Sequence, residues 1–281
     1  MHKMAVTKKI VIYHKNCMDG FSAAWVVRKK LGSGAVYFPA VHTAPFPDSV
    51  KDSEVYMVDF CYPEEVMKKV KKLAAKVIVI DHHISQKEAV KISDEHLFDI
   101  KHSGAVLAWK FFFPGKKVPK LLQYVEDTDI WKFSLPQSKE IHASLDTLKF
   151  DWKIWTKTAS ELETAKGRKK HLEKGKAILE FSDRVIENIC ANAEAVKFEG
   201  HKAYAVNSPA LVSEIGHVLA TKANGVGIVW VKKSDKLKVS LRSNGKVDVS
   251  KIALKYGGGG HKAAASFSLP IKKGTITFPW K

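Results

Sequence analysis

Cysteine is scarce in this chain. Cys17, Cys61 and Cys190 are the three in 281 residues. Their odd number and wide spacing argue against a disulfide framework and for a reducing compartment, so a cytoplasmic location is expected. Long hydrophobic runs are also missing. No stretch approaches the ~18 continuous apolar residues of a membrane span, so no membrane partner is expected. The segment Met1-His2-Lys3-Met4-Ala5 lacks the hydrophobic core of a secretion signal. There is no internal repeat. Acidic residues are few relative to basic ones: 29 Asp and Glu face 47 Lys and Arg, leaving a net charge of +18. Such an excess points to a polyanionic partner, nucleic acid first. A solvated lysine-rich surface is the competing reading, since most of the excess is Lys spread along helices. Lys68, Lys69, Lys71 and Lys72 cluster on one predicted helix, and a second basic cluster spans Lys166 to Lys176. Charge therefore gives a partner class and no chemistry.

The chemistry lies at strand ends. The run Val77-Ile78-Val79-Ile80 is short, β-branched and without helical period, as a buried strand should be, and it stops at Asp81-His82-His83. Two more strands end the same way. Lys9 to Tyr13 runs into His14, with Asp19 five residues on, and Glu54 to Val58 runs into Asp59. Side chains of this kind are rarely buried without partners. In open α/β sheets ligands bind beyond the carboxyl ends of parallel strands. If the three strands are parallel neighbours, His14, Asp19, Asp59, Asp81, His82 and His83 converge there.

Helices separate the strands. Gly20 to Leu31 ends in Gly32, a plausible stop, and Pro63-Glu64-Glu65 opens a helix to about Ala75, with Pro in its first turn and acids near the positive dipole end. The order strand, helix, strand, helix, strand implies right-handed crossovers and a parallel sheet. Phe38 to Val50, with three prolines, reads as loop. Residues 104–113 read as a buried helix closed by Pro114-Gly115, and Leu121 to Thr128 as a short helix ending at Glu126-Asp127-Thr128-Asp129. Residues 152–195 read as long charged helices. Strands return at Ala203–Asn207, Val226–Lys232 and Leu237–Arg242, with a helix at Ser213–Ala223.

Mixed imidazole and carboxylate donors suit Mn²⁺, Zn²⁺ or Fe²⁺ better than Ca²⁺. The donors outnumber one tetrahedral site, and two ions sharing a carboxylate would use them economically. Ligating histidines must be neutral, so activity is expected to fall in acid. Asp127 is the next candidate ligand and Asp129 a weaker one. The run Gly257-Gly258-Gly259-Gly260, followed by His261, could point successive amides into one anion-binding concavity or serve as a hinge. Arg242 could clamp a phosphate in bidentate fashion or stand at the surface.

Together these residues resemble the DHH phosphoesterase superfamily in its branch with a C-terminal DHHA1 domain, the branch of RecJ-type exonucleases and of bacterial oligoribonucleases. The matching stretches are His14 to Gly20, the strand ending in Asp59, Asp81-His82-His83, Asp127-Thr128-Asp129, Val239 to Ser243 and Gly257 to Phe267. The resemblance implies an α/β fold: a parallel-sheet DHH domain with flanking helices over residues 1–150, a helical connector over 151–195 and a smaller α/β DHHA1 domain over 196–281. It implies that His14, Asp19, Asp59, His82 and Asp127 hold two divalent metal ions, usually Mn²⁺, with Asp59 bridging. His83 would contact the scissile phosphate, with Asp81 orienting the site. Arg242, Gly258, Gly259, Gly260 and His261 would bind the rest of the substrate. Two positions depart from the family pattern. Many members place two aspartates two residues apart in the first motif; Asp19 matches the second, and Cys17 occupies the place of the first. Cys17 is then a soft ligand, an outer thiol or a small packed residue. Ser266 stands where glycine is usual.

The leading functional expectation is a metal-dependent phosphodiesterase that hydrolyses short RNA or DNA oligonucleotides to nucleoside 5′-monophosphates. Cyclic or linear dinucleotides and 3′-phosphoadenosine 5′-phosphate are alternative substrates for the same residues. A nucleic-acid-binding protein with a degenerate metal site is the non-enzymatic alternative. A homodimeric assembly is among the expectations.

Overall fold

A computed structural model describes residues 7–41, 44–271 and 275–280; the Met1-to-Ala5 segment lies outside them. The chain divides into two compact units, Met1–Ile178 and Leu179–Lys281.

The first unit is built on β1 (Lys9–His14), α1 (Met18–Leu31), β2 (Val36–Ala40), β3 (Glu54–Val58), α2 (Glu64–Leu73), β4 (Lys76–Asp81), α3 (Lys87–Val90) and β5 (Glu95–Phe98). The strands form one five-stranded sheet in the order β2-β1-β3-β4-β5, with every neighbouring pair parallel. Side chains alternate across it. Val11, Tyr56, Val58, Ile78 and Ile80 face a core shared with α1, while Ile10, Ile12, Val55, Met57, Val77 and Val79 face a second core with Met67 and Val70 of α2 and Val90 of α3. Burial on both faces is why these strands read as unbroken apolar runs. The chain runs outward from β1 to β2 and then returns past β1 to β3. The carboxyl ends of β1 and β3 therefore flank the topological switch point, the usual ligand crevice of such sheets.

Phe38 to Ala40, expected as loop, belongs to β2. Pro39 is tolerated there because β2 is the sheet edge, where a missing N–H costs no interior ladder bond.

Helices α4 (Gly104–Phe112), α5 (Lys120–Asp129), α6 (Ser138–Asp146) and α7 (Trp152–Glu163) complete the unit. Leu107, Leu121, Val125, Ile141, Trp155 and Leu162 all join the α1 core. Trp155 is fully buried and its indole N–H donates to Ser22 Oγ at 2.9 Å. Within residues 151–195, α7 packs into the first core, and α8 (Ala165–Ala191) runs through the division between the units after Ile178.

The second unit contains β6 (Glu194–Phe198), β7 (His201–Asn207), α9 (Val212–Ala223), β8 (Val226–Lys233), β9 (Lys236–Ser243), α10 (Val249–Lys255), β10 (Gly259–His261) and β11 (Ala264–Pro270). Its six-stranded sheet has the order β10-β11-β9-β8-β7-β6, antiparallel except for β7 with β8. Ile215 and Leu219 of α9 pack with Val206, Val229 and Ile186, while Val249 and Ile252 of α10 pack with Phe198, Val239 and Phe267.

Candidate metal centre

Four peptide segments bring acids and imidazoles together at the carboxyl ends of β1, β3 and β4. After β1 the chain turns through Asn16 in the left-handed region (φ 55°), a conformation asparagine tolerates, and Cys17 becomes the N-cap of α1. Asp19 lies in the first turn of that helix. Gly20 lets the helix press onto the strand end: a Cβ there would lie 2.5 Å from the His14 carbonyl oxygen and 3.1 Å from Asp59 Oδ2. Asp59 itself sits at φ 51°, and its amide donates to the Ile80 carbonyl. Gly104 admits α4 from the other side, since a Cβ there would meet Asp59 Cβ at 2.5 Å.

The resulting cluster is tight. His82 Nε2 lies 3.2 Å from Asp59 Oδ1, 3.6 Å from Asp129 Oδ2 and 3.9 Å from Asp19 Oδ2. His14 Nδ1 lies 3.7 Å from Asp59 Oδ2. Three donor sets have all their donor atoms within 4.8 Å of one another: His14, Cys17 and Asp59; Asp59, His82 and His83; Asp19, His82 and Asp129. Asp59 and His82 each belong to two of them. Asp81 stands behind His83. Its Oδ1 accepts from the amides of His82 (2.8 Å) and His83 (3.3 Å) and lies 2.7 Å from His83 Nδ1. Asp19 accepts the amides of Gly104 (2.6 Å) and Ala105 (3.0 Å), at the positive end of α4.

The electrostatics are those of an anionic pocket short of cations. Burial, then the charges of Asp59 and Asp129, pushes the Asp19 carboxyl well above its ordinary value. Burial chiefly, with Asp59, raises Asp129 to about 6 against the pull of His82. Burial alone would lower His82, but Asp59, Asp19 and Asp129 outweigh it and hold its imidazolium up to about 10. Asp59 goes the other way. Burial would raise it, and the contacts from His14, His82 and His83 overcome that and keep it ionised. Those contacts are charge pairings more than hydrogen bonds: Asp59 is 1% exposed, and neither carboxylate oxygen has a partner at good hydrogen-bond geometry. Burial and the three carboxylates also raise the Cys17 thiol. A buried carboxylate with two unsatisfied oxygens, ringed by neutralisable imidazoles, fits a divalent cation, which would displace the shared protons.

In the second unit Arg242 is held at the end of β9. Its Nη2 donates to Ser213 Oγ at 2.8 Å and its Nη1 to the Leu241 carbonyl at 3.0 Å. Gly216 of α9 makes room for its stem, because a Cβ there would lie 2.6 Å from Arg242 Cγ.

Residues 195–275 match the DHHA1 domain family. That match lies within the second unit, and for the chain as a whole the likeness to solved structures is one of fold. An exopolyphosphatase-related protein from Bacteroides fragilis aligns over 97% of this chain and 89% of its own, with a TM-score of 0.57 and 14% identity. RecJ from Thermus thermophilus, in complex with Mn²⁺, aligns over 95% of this chain and 50% of its own, with a TM-score of 0.55 and 16% identity. An uncharacterized protein of Acanthamoeba polyphaga mimivirus is 28% identical over 96% of this chain and 69% of its own length.

At the end of the parallel sheet, His14, Asp19, Asp59, His82 and His83 come together as the sequence leads one to expect, and Asp127 does not join them. Its carboxylate accepts from Ser134 N, Ser134 Oγ and Leu135 N at 2.7–3.0 Å, which fastens the turn after α5. Asp129 takes the place in the cluster. Two positions on a helix lie about 200° apart, so only one of the pair can face the site. Spacing does not separate them, since Asp127 follows the buried Tyr124 at i+3 and Asp129 the buried Val125 at i+4. The Gly104 and Ala105 amides that hold Asp19 were also missed, although a serine N-cap opening an apolar helix marks such a donor set.

In the DHHA1 domain the glycine run is not a concave nest. Gly257 N and Gly258 N donate back to Leu254 O and Ala253 O, closing α10, with Gly257 at φ 72°. Gly259 to His261 then form an edge strand against Ala264 to Ser266. Glycine is required at 258, where a Cβ would sit 2.1 Å from Ser266 O, and at 260, which has φ 140°.

Proposed function

We propose that this chain is a metal-dependent phosphodiesterase that hydrolyses short oligonucleotides or dinucleotides to nucleoside 5′-monophosphates. The observation that carries the reading is the buried, unsatisfied Asp59 carboxylate at the switch point of the DHH sheet, shared between neighbouring donor sets. His14, Asp59, Asp19, His82 and Asp129 would hold two divalent ions, Asp59 belonging to more than one of the donor sets. Such a pair supplies a nucleophile at neutral pH and neutralises charge on the phosphoryl group.

The chain's own groups do the remaining work. The α4 amides fix both oxygens of Asp19, so its orientation does not depend on the ion. Asp81 holds His83 through Nδ1. Burial would lower the His83 pKa, but Asp81 and Asp59 raise it. The ring can therefore carry a proton and offer a charge-assisted hydrogen bond to a phosphate oxygen. In the DHHA1 domain two of the five Arg242 donors are used internally, and the rest of the fork suits a substrate phosphate. His261 and the edge strand from Gly259 provide further polar contacts for a nucleotide. The +18 charge favours a polyanionic substrate.

The test is a panel of RNA and DNA of two to five nucleotides, cyclic and linear dinucleotides and 3′-phosphoadenosine 5′-phosphate, incubated with Mn²⁺-loaded protein. Release of 5′-mononucleotides by the wild type and not by His82→Ala supports the proposal. An inert wild type, folded and metal-loaded, would remove it.

A further inference from the structure

Cys17 occupies a position whose side chain the fold does not need for packing or capping. It is the N-cap of the 14-residue helix α1, yet its side chain makes no cap hydrogen bond. It is partly open rather than sealed in either core. Its sulfur lies within 4.8 Å of a His14 ring nitrogen and an Asp59 oxygen. That oxygen belongs to a carboxylate which is 1% exposed and has no well-formed hydrogen bond.

We infer that Cys17 Sγ, with His14 and Asp59, is a ligand of one divalent ion, making that half of the centre a mixed sulfur, nitrogen and oxygen site selective for Zn²⁺, Co²⁺ or Fe²⁺ over Mn²⁺ and Mg²⁺. The inference rests on the proposal that this cluster holds cations, and it changes which cation. Three features of the chain support it. His14 Nδ1 and Asp59 Oδ2 stand 3.7 Å apart, close to the separation of two ligands each about 2.1 Å from one ion at a tetrahedral angle. Cys17 stands at the positive end of α1, which offsets part of the rise that burial and the Asp59, Asp129 and Asp19 carboxylates impose on its thiol, and an entering divalent ion would displace the proton. Thiolate is a soft donor that prefers zinc-like ions, whereas carboxylate-only sites suit Mg²⁺ and Mn²⁺. The second donor set, Asp19, His82 and Asp129, has no sulfur. The two halves of the centre therefore differ in preference, and a protein loaded with one softer and one harder ion follows.

The experiment is a Co²⁺ titration of the intact, chelator-stripped protein, followed by absorption and by calorimetry. The expected result is a sulfur-to-cobalt charge-transfer band in the near ultraviolet that saturates at one equivalent and vanishes in Cys17→Ser. Groups that only orient a ligand change metal affinity roughly 10–100-fold, so loss of a direct ligand should weaken the first Co²⁺ or Zn²⁺ by at least about tenfold. In Cys17→Asp, a carboxylate at the same place should shift the preference of that site towards Mn²⁺. Co²⁺ binding to the wild type without the band would overturn the cysteine ligand and leave the metal centre standing. A band that persists in Cys17→Ser would assign the sulfur to Cys61 or Cys190 and also overturn it. Absence of any Co²⁺, Zn²⁺ or Mn²⁺ binding would overturn this inference and the metal-dependent function together. If Cys17→Ser fails to fold, the Cys61→Ala and Cys190→Ala variants decide instead: a band retained in both leaves Cys17 as the sulfur ligand, and a band lost in either overturns it.

Discussion

Replacing Asp129 by Asn should make the metal-free protein more stable near neutral pH. Asp129 is raised from its ordinary 3.8 to about 6, chiefly by burial and by Asp59. A carboxyl raised in the folded state binds its proton more tightly there than in the unfolded chain. Its contribution to stability is therefore fully present below pH 3.8 and is lost as the pH rises through about 6. One pKa unit is worth 1.36 kcal/mol, so the full gap corresponds to roughly 3 kcal/mol. With 25% of the side chain open to solvent, screening reduces this to on the order of 2 kcal/mol. Asn mimics the protonated acid and carries no such penalty. In urea melts of chelator-treated protein, Asp129→Asn should gain about 2 kcal/mol over the wild type at pH 7 and nothing near pH 4. The added stability that divalent ions give the wild type should shrink in the variant, because a ligand is gone. A difference independent of pH, or a variant less stable than the wild type at pH 7 without metal, would refute the reasoning.

Asp127→Ala should behave differently. It strands the Ser134 and Leu135 amides and should cost about 1–3 kcal/mol in denaturant melts, while metal content by elemental analysis stays that of the wild type. Gly104→Ala forces a methyl against Asp59 Cβ; overpacking of this kind costs roughly 1–3 kcal/mol, and metal affinity by calorimetry should fall with stability. Arg242→Lys keeps the charge and loses the fork held by Ser213. It should raise KM for an oligonucleotide several-fold and leave kcat within about twofold, as expected for a group that binds substrate and transition state alike.

Much of the first unit was legible because its central strands are buried on both faces. Val11, Val55, Met57 and Val77 to Ile80 have nowhere polar to point, so sequence and fold agree there. Edge strand β2 was not legible: Val36 and Tyr37 are only partly covered and Pro39 signals a break, while pairing to β1 makes it a strand all the same. The carboxylate at the end of α5 shows a second limit. Asp127 and Asp129 differ by two residues, and the rotation of α5 that presents one of them is set by Leu122 and Val125 packing in the α1 core. The glycine run shows a third. Four glycines suggest backbone freedom, but Gly257 and Gly258 are spent closing α10, and the need for glycine at 258 comes from Ser266 O across the sheet. That contact is long-range and leaves no local mark. Cys17 was readable as a departure, and its proximity to Asp59 emerges only once Gly20 lets α1 approach β1.

The most direct measurement is cleavage of a 5′-labelled dinucleotide by chelator-stripped protein before and after stoichiometric divalent cation is restored. No product before, 5′-mononucleotide after, and none in cation-treated Asp59→Asn is the result expected of a metal centre built on Asp59. Cleavage that survives stripping, or none from folded protein with both sites filled, would contradict it.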